Sequence, residues 1–201
     1  MLAETSGISF MPSLQVLELG SSGITDLSNF ANFPLKTLRI LHLPGNEISK
    51  VEGLVHLEQL RELVLDRNKI KQFDEGSFQG LKALRELRVE DNALKGLANL
   101  APLTRLRSLY LSLNRVAELS ELEKLTPLRH LLLLNLSQNP IARKPFYRAY
   151  VIHAVQHIRV IDGKEVTEEE REKCEQLLSS TDPGRVADAG MVYVLGGPVI
   201  K

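Results

Sequence analysis

Apolar residues in this chain recur in one fixed alternation. Leu38, Leu41 and Leu43 lead to Asn46 and Ile48, and Leu60, Leu63 and Leu65 lead to Asn68 and Ile70. The order returns at Leu84, Leu87, Val89, Asn92 and Leu94, at Leu106, Leu109, Leu111, Asn114 and Val116, and at Leu131, Leu134, Leu136, Asn139 and Ile141. A weaker first copy runs Leu14, Leu17, Leu19, Ser22 and Ile24. From Ser22 to Asn139 the turn positions step by 24, 22, 24, 22 and 25. A period in this range predicts a solenoid, in which each unit buries its apolar face only against its neighbours.

Within each copy, alternation places two leucines on one face of a short strand and variable residues on the other. Asn follows where the chain turns away, and its amide can donate and accept toward backbone groups left unpaired inside the coil. Ser22 in the first copy predicts a looser or terminal coil. Return segments such as Ile48, Val51, Leu54, Leu57, Leu60 and Leu94, Leu97, Leu100, Leu103, Leu106 carry an apolar residue every third position. That period suits 3₁₀ geometry, where i and i+3 eclipse. Phe73 and Phe78 mark a wider coil. Leu128-Arg129-His130 extends the return segment before the last strand.

After Asn139-Pro140-Ile141 the pattern stops, and a polar cap over the last coil is required. Pro145 offers a helix start. Phe146, Tyr150, Ala154 and Tyr147, Val151, Val155 recur at helical spacing, giving a broad apolar face. Ile158 to Ile161 reads as a strand ended by the turn pair Asp162-Gly163. Thr167-Glu168-Glu169-Glu170 reads as a capping box, with Thr167 at N-cap and Glu170 reaching back. Cys174, Leu177 and Leu178 share one side of the helix that follows. The expected organisation is an entry segment 1–13, six repeats over 14–141, a cap over 142–178 and a tail over 179–201. The tail's Met191–Leu195 is strand-like but follows a loop. No amphipathic segment precedes Leu14, so the chain is expected to be a fragment or short form of a larger scaffold.

Asn139-Pro140, Tyr147-Arg148-x-Tyr150-Val151-Ile152, Val160-Ile161-Asp162-Gly163, and Val166-Thr167 leading into Glu170-Arg171 together resemble the C-terminal cap of intracellular leucine-rich repeat proteins. With the repeats, the resemblance is to their short 22-residue subclass and covers roughly residues 14–178. It implies an α/β fold: a leucine-rich repeat solenoid with a curved parallel sheet on its concave side, 3₁₀ or short helical turns on its convex side, and a helical cap. It also implies a non-catalytic module that binds a protein partner on the concave face, in a ciliary or cytoskeletal assembly. Other members of the subclass imply two alternatives. One is a ribonucleoprotein subunit contacting an RNA-binding protein, as the spliceosomal A-prime type does. The other is a regulatory subunit of a type-1 protein phosphatase.

Composition narrows the setting. Hydrophobic residues are 43% of the chain, yet aromatics are 5% and Trp is absent, since leucine fills the interior. One cysteine, Cys174, excludes an intrachain disulfide. No signal peptide or membrane span is legible, so the expected place is the cytoplasm, with a cilium as the specific setting and the nucleus as the alternative. The module is expected to be monomeric alone or part of a larger chain or assembly. Twenty-five basic and 25 acidic residues give zero net charge, against a direct nucleic-acid binder. The basic run Arg143 to Arg148 reads as the solvated edge of the capping helix.

No catalytic, cofactor or metal constellation emerges. His153 and His157 stand at i, i+4 but lack a third ligand, and Asn135-Leu136-Ser137 is a sequon placed on an inner strand. The third, fifth and seventh positions of each copy point outward from the concave sheet. Val16, Glu18 and Gly20 open the series, and Pro44 and Ser137 belong to it. The expected binding residues are Ile40, His42, Glu62, Val64, Asp66, Glu86, Arg88, Glu90, Ser108, Tyr110, Ser112, Leu133 and Asn135. Ile40, Val64, Tyr110 and Leu133 are the large apolar members expected to be exposed. Arg88 and Tyr110, outward from adjacent strands near the centre, are the expected affinity-setting pair.

Overall fold

The computed structural model describes residues 13–180. Eight strands form one sheet in chain order: β1 (Val16–Glu18), β2 (Ile40–His42), β3 (Glu62–Val64), β4 (Glu86–Arg88), β5 (Ser108–Tyr110), β6 (Leu133–Asn135), β7 (Val160–Ile161) and β8 (Lys164–Glu165). β1 to β7 are parallel neighbours, and β8 returns antiparallel on β7. The chain is the leucine-rich solenoid that its period predicts. In register at the strand centres stand Leu17, Leu41, Leu63, Leu87, Leu109, Leu134 and Ile161. From Leu41 onward all are fully buried, so one row of side chains makes the core continuous between coils.

The convex side tightens by i+3 to i bonds. Leu57 and Leu60 N–H groups donate to Leu54 and Leu57, and Leu103 and Leu106 donate to Leu100 and Leu103. Among the described residues, continuous 3₁₀ helix is confined to Ser28–Asn32, Leu119–Leu125 and Pro140–Arg143. The extra residues before β6 lie where Leu128 and Leu131 continue that turn pattern past Leu125. Phe73 and Phe78 fill the wider coil edge to face, with centroids 4.8 Å apart. There the coils approach closely enough to require glycine: a Cβ on Gly80 would lie 1.8 Å from the Val55 carbonyl oxygen.

Each coil turns through a residue in the left-handed region just before its Asn or Ser22. These are Ser21, Gly45, Arg67, Asp91, Leu113 and Gln138, with φ between 52° and 69°. Five are not glycine, so each of those five turns holds strain of about 1–2 kcal/mol. The following Asn offsets it. Asn46, Asn68, Asn92, Asn114 and Asn139 accept the N–H of Ile24, Ile48, Ile70, Leu94 and Val116 in the preceding coil, at 2.9–3.0 Å. Their Nδ2 groups donate to Leu19, Leu43, Leu65, Val89 and Leu111 carbonyls, also one coil back. Every Asn therefore serves the coil before its own. Ser22 reaches only the Gly20 carbonyl, and Leu14, Leu17 and Leu19 are only partly buried.

The cap departs from the sequence reading in four places. Helix α1 (Tyr147–Ala154) buries Tyr147, Tyr150, Val151 and Ile152, but Phe146 precedes it in a left-handed conformation and is 52% exposed. That backbone turns the Phe146 ring away from the face where its spacing put it. His157 lies beyond the end of α1, so helical i, i+4 geometry does not join it to His153. Thr167 Oγ1 accepts the Glu170 N–H at the start of α2 (Glu168–Ser180), but Glu170's carboxylate does not reach back. It binds Arg148 instead. Arg148 is therefore not part of a solvated edge. Its guanidinium also donates to the Ile161 and Glu165 carbonyls at 3.1 and 2.7 Å, tying α1, the β7–β8 turn and α2 together. Met191–Leu195 lies outside the described residues.

Candidate protein-binding face

Three rows of side chains cross the concave sheet. Val16, Ile40, Glu62, Glu86, Ser108 and Leu133 form the first, and Glu18, His42, Val64, Arg88, Tyr110 and Asn135 the second. Gly20, Pro44, Asp66, Glu90, Ser112 and Ser137 form the third, stacked by backbone bonds such as Arg67 N–H to Glu90 O and Asp91 N–H to Ser112 O. The register thus brings all thirteen expected residues onto one surface. Their accessibility differs from expectation. Val64 is only 8% exposed, because the longer His42 and Arg88 side chains flank it in register. Ser112 is buried too. Ile40, Tyr110 and Leu133 are half-buried, whereas Val16, at the β1 edge, is 47% exposed.

The centre is a bonded network. Arg88 Nε donates to Asp66 Oδ2 at 3.2 Å, and Arg88 also pairs with Glu90. Asp66 Oδ1 accepts the Glu90 N–H at 2.7 Å, and Ser112 Oγ donates to Glu90. The Arg88 guanidinium lies 4.6 Å from the centre of the Tyr110 ring, a cation–π contact. Burial works against the charge of Arg88, but the Asp66 hydrogen bond and the charges of Asp66 and Glu90 outweigh it and hold the group charged. Burial and Glu86 push the Tyr110 phenol up, leaving a neutral hydroxyl on the surface. Sequence showed the outward positions but not this network. Its signal was opposite charges in neighbouring rows of adjacent copies, Asp66 in one and Arg88 in the next.

Beside the network stands a repulsion that Arg88 and His42 only partly relieve. Glu62 and Glu86 face each other in register. Glu62 has His42 at 2.8 Å, while burial, then Glu62, raises the Glu86 pKa. A carboxyl whose folded pKa lies above its unfolded one stabilises below the unfolded pKa, and that stability is lost as pH rises through the folded pKa. Glu86→Gln should therefore stabilise the fold at neutral pH by up to about 1 kcal/mol, the size of a like-charge cross-strand pair, and so raise the melting temperature. The gain should fade as pH falls into the carboxylate range. Thermal melts of both proteins against pH check this, and equal melting at neutral pH would contradict it.

A groove of about 610 Å³ lies away from this face, between the Leu119–Arg129 segment and α1, with His153 and His157 at its edge. Among the described residues no cluster of three His, Cys, Asp or Glu side chains is placed to hold a metal. Among them, too, no helix is long and apolar enough to cross a membrane.

Two family descriptions match the chain: "Leucine rich repeat" over residues 12–70 and 58–116, and "Leucine-rich repeat" over 104–189. U2 small nuclear ribonucleoprotein A' of Homo sapiens is 33% identical over 142 residues, which are 71% of this chain and 47% of that protein. Dynein axonemal assembly factor 11 of Trypanosoma brucei brucei is 34% identical over 141 residues, 70% of this chain and 30% of that protein. The chain thus spans about half, or less, of the length of these relatives. In the crystal structure of the Drosophila melanogaster SNF/U2A' complex, one chain superposes with a TM-score of 0.63 at 25% identity. The match covers 72% of this chain and 83% of that one.

Proposed function

The chain belongs to the leucine-rich repeat family, and from that premise we propose that it is a non-catalytic interaction module whose concave face binds a protein partner. The observation that carries the reading is the central network of Asp66, Arg88, Glu90 and Ser112 beneath Tyr110. These groups are ordered before any partner arrives, which lowers the entropy lost on binding. Arg and Tyr are also the types that most often dominate interface energy.

Two settings follow from the relatives. The dynein axonemal assembly factor supports a ciliary or cytoskeletal assembly. So does the wording of Leu43–Leu54, Leu63–Lys71 and Glu121–Leu125, which is similar to leucine-rich repeat-containing protein 9. The spliceosomal relatives and the SNF/U2A' complex support, with equal weight, a nuclear ribonucleoprotein subunit that contacts another protein of the particle. A type-1 phosphatase regulator rests on the subclass resemblance alone. The cytoplasm fits the first setting and the nucleus the second.

Proximity labelling in cells, with a concave-face variant as control, separates them. Arg88→Glu would set a further carboxylate beside Asp66 and Glu90, so Arg88→Gln with Tyr110→Ala is the cleaner change. It should weaken partner binding by at least about two orders of magnitude with little change in melting. Axonemal proteins lost from the variant would select the ciliary setting, and spliceosomal proteins the nuclear one. A partner that binds the double variant with wild-type affinity would move the site off the concave centre.

A further inference from the structure

One position before the strands, a row of arginines runs beside the concave face. Arg39, Arg61, Arg85 and Arg107 occupy four successive coils, Leu132 interrupts, and Arg159 resumes in the cap. Backbone bonds stack them: the Arg61 N–H donates to Arg39, Arg85 to Arg61, Arg107 to Arg85, Leu132 to Arg107 and Arg159 to Leu132, at 2.7–2.8 Å. Neighbouring strands lie about 4.8 Å apart, so four cationic positions line roughly 15 Å of one rim. All five arginines are exposed, and among the described residues no ion pair or side-chain hydrogen bond engages them.

Some cations of this chain do find partners, among them Lys69 with Glu47, Lys124 with Glu121, Lys144 with Glu118 and Arg148 with Glu170, but the row is set apart by its stacking in successive coils. With 25 charges of each sign, the bare row does not reflect a shortage of acids. Glu62 and Glu86, next in sequence to Arg61 and Arg85, act within the concave face instead, where Glu86 feels Glu62, Arg88, His42 and Asp66. Like charges on adjacent strands repel, so the row weakens the free protein and gains when an anion covers it.

We propose that this rim docks an acidic helix of a protein partner, with carboxylates along one stripe meeting successive guanidinium groups. Spacing favours a helix. Side chains at i, i+3 and i+4 recur about 5–6 Å apart, close to the coil spacing, whereas same-face residues of an extended chain are about 6.6 Å apart. Guanidinium groups also suit phosphates, but sequence-tolerant single-strand sites add aromatic stacking platforms. No aromatic residue lies within two positions of Arg39, Arg61, Arg85 or Arg107. The next row inward also offers Glu62 and Glu86, which repel a phosphodiester chain. A helix can turn an acidic stripe to the rim and donors to those glutamates. Arg88 and Tyr110 take no part, so this surface stands or falls apart from the concave centre.

The test uses the full chain, at about 50 mM salt where exposed charges are weakly screened. Its main probe is a fluorescent Ala-rich helical peptide of about 20 residues with one stripe of Glu. Two further probes are a peptide of the same composition with Glu spread around the helix, and oligouridylate RNA. The striped peptide is expected to bind, the spread peptide to bind more weakly, and oligouridylate to bind more weakly still. The triple variant Arg61→Ala, Arg85→Ala, Arg107→Ala should lose at least about tenfold in striped-peptide affinity with unchanged melting. Arg88→Gln with Tyr110→Ala should keep it. Equal striped-peptide affinity in the triple variant, loss in the Arg88/Tyr110 variant, or no binding of the striped peptide would overturn the proposal. Tighter binding of RNA that the triple variant abolishes would make the rim a phosphate site instead.

Discussion

Asn114→Ala is expected to lower stability by about 4 kcal/mol, because two or more buried backbone groups lose their partners at about 1–3 kcal/mol each. Asn114 is 6% exposed. Its Oδ1 accepts the Leu94 N–H at 2.9 Å, and its Nδ2 donates to Val89 at 2.7 Å and to Leu111 and Ser112 at 3.1 and 3.2 Å. Alanine fills none of these roles. The neighbouring Leu113, held at φ 57°, would keep its strain without the bonds that offset it. Asn114→Asp is the informative partner. It retains an acceptor for Leu94 but turns a carboxylate toward the Val89 and Leu111 carbonyls, so it should be as damaging or worse at neutral pH. Urea unfolding of the three proteins measures the effect. A loss under about 1 kcal/mol for Asn114→Ala would mean that water reaches the coil interior, and the ladder would not be what holds the turns.

The ladder shows why the fold was legible. Spacing in sequence becomes stacking in space, so a leucine repeated every 22 to 25 positions can only meet its own equivalents. One residue type per position then defines core, turn and return segment. Contacts that depend on a second residue were not legible. The left-handed residue before each Asn or Ser22 carries no common side chain: Ser21, Gly45, Arg67, Asp91, Leu113 and Gln138 share only a backbone conformation. Ile158–Ile161 reads as a strand, but nothing in those residues names β6 as its parallel neighbour.

The candidate face was legible to the same depth. Alternation says which side chains point outward, and the registered strands place all thirteen on the concave side. It does not say how far each protrudes. Val64 falls in the shade of His42 and Arg88, and the charges at Asp66, Arg88 and Glu90 close on one another. Those outcomes depend on the lengths of residues some 22 positions away. The rim arginines escaped notice for the opposite reason. Each looks like an ordinary solvated charge in its own copy, and only the stacked backbone shows them as one row.

A chain ending at residue 142 is expected to aggregate, whereas Arg148→Ala in the full chain is expected to stay soluble and loosen only the cap. The cap covers the last coil with Tyr147, Tyr150, Val151, Ile152, Val155, Ile158 and Ile161, all buried. Fully burying one such side chain is worth about 1.5–3 kcal/mol, against a total of roughly 5–15 kcal/mol for a typical domain. Removing it also leaves β6 as an edge strand whose open N–H and C=O groups invite pairing with another chain. In the intact protein β7 takes that edge, and the exposed two-residue β8 ends the sheet with Lys164 and Glu165. Arg148→Ala keeps this cover but cuts the guanidinium bonds to Glu170, Ile161 and Glu165, at about 2 kcal/mol. Lysine should not rescue it, since one ammonium cannot span three acceptors. The link is also acid-sensitive. The Arg148 hydrogen bond holds the Glu170 pKa below its ordinary value, so its stabilisation is present above the unfolded carboxylate pKa and is lost as pH falls through the folded one. In Arg148→Ala, amide exchange should quicken across α2 before the repeats, and acid should add little further loss there. A truncated chain that runs as a monomer and melts cooperatively would show that the array ends itself and that residues 143–178 are not its cap.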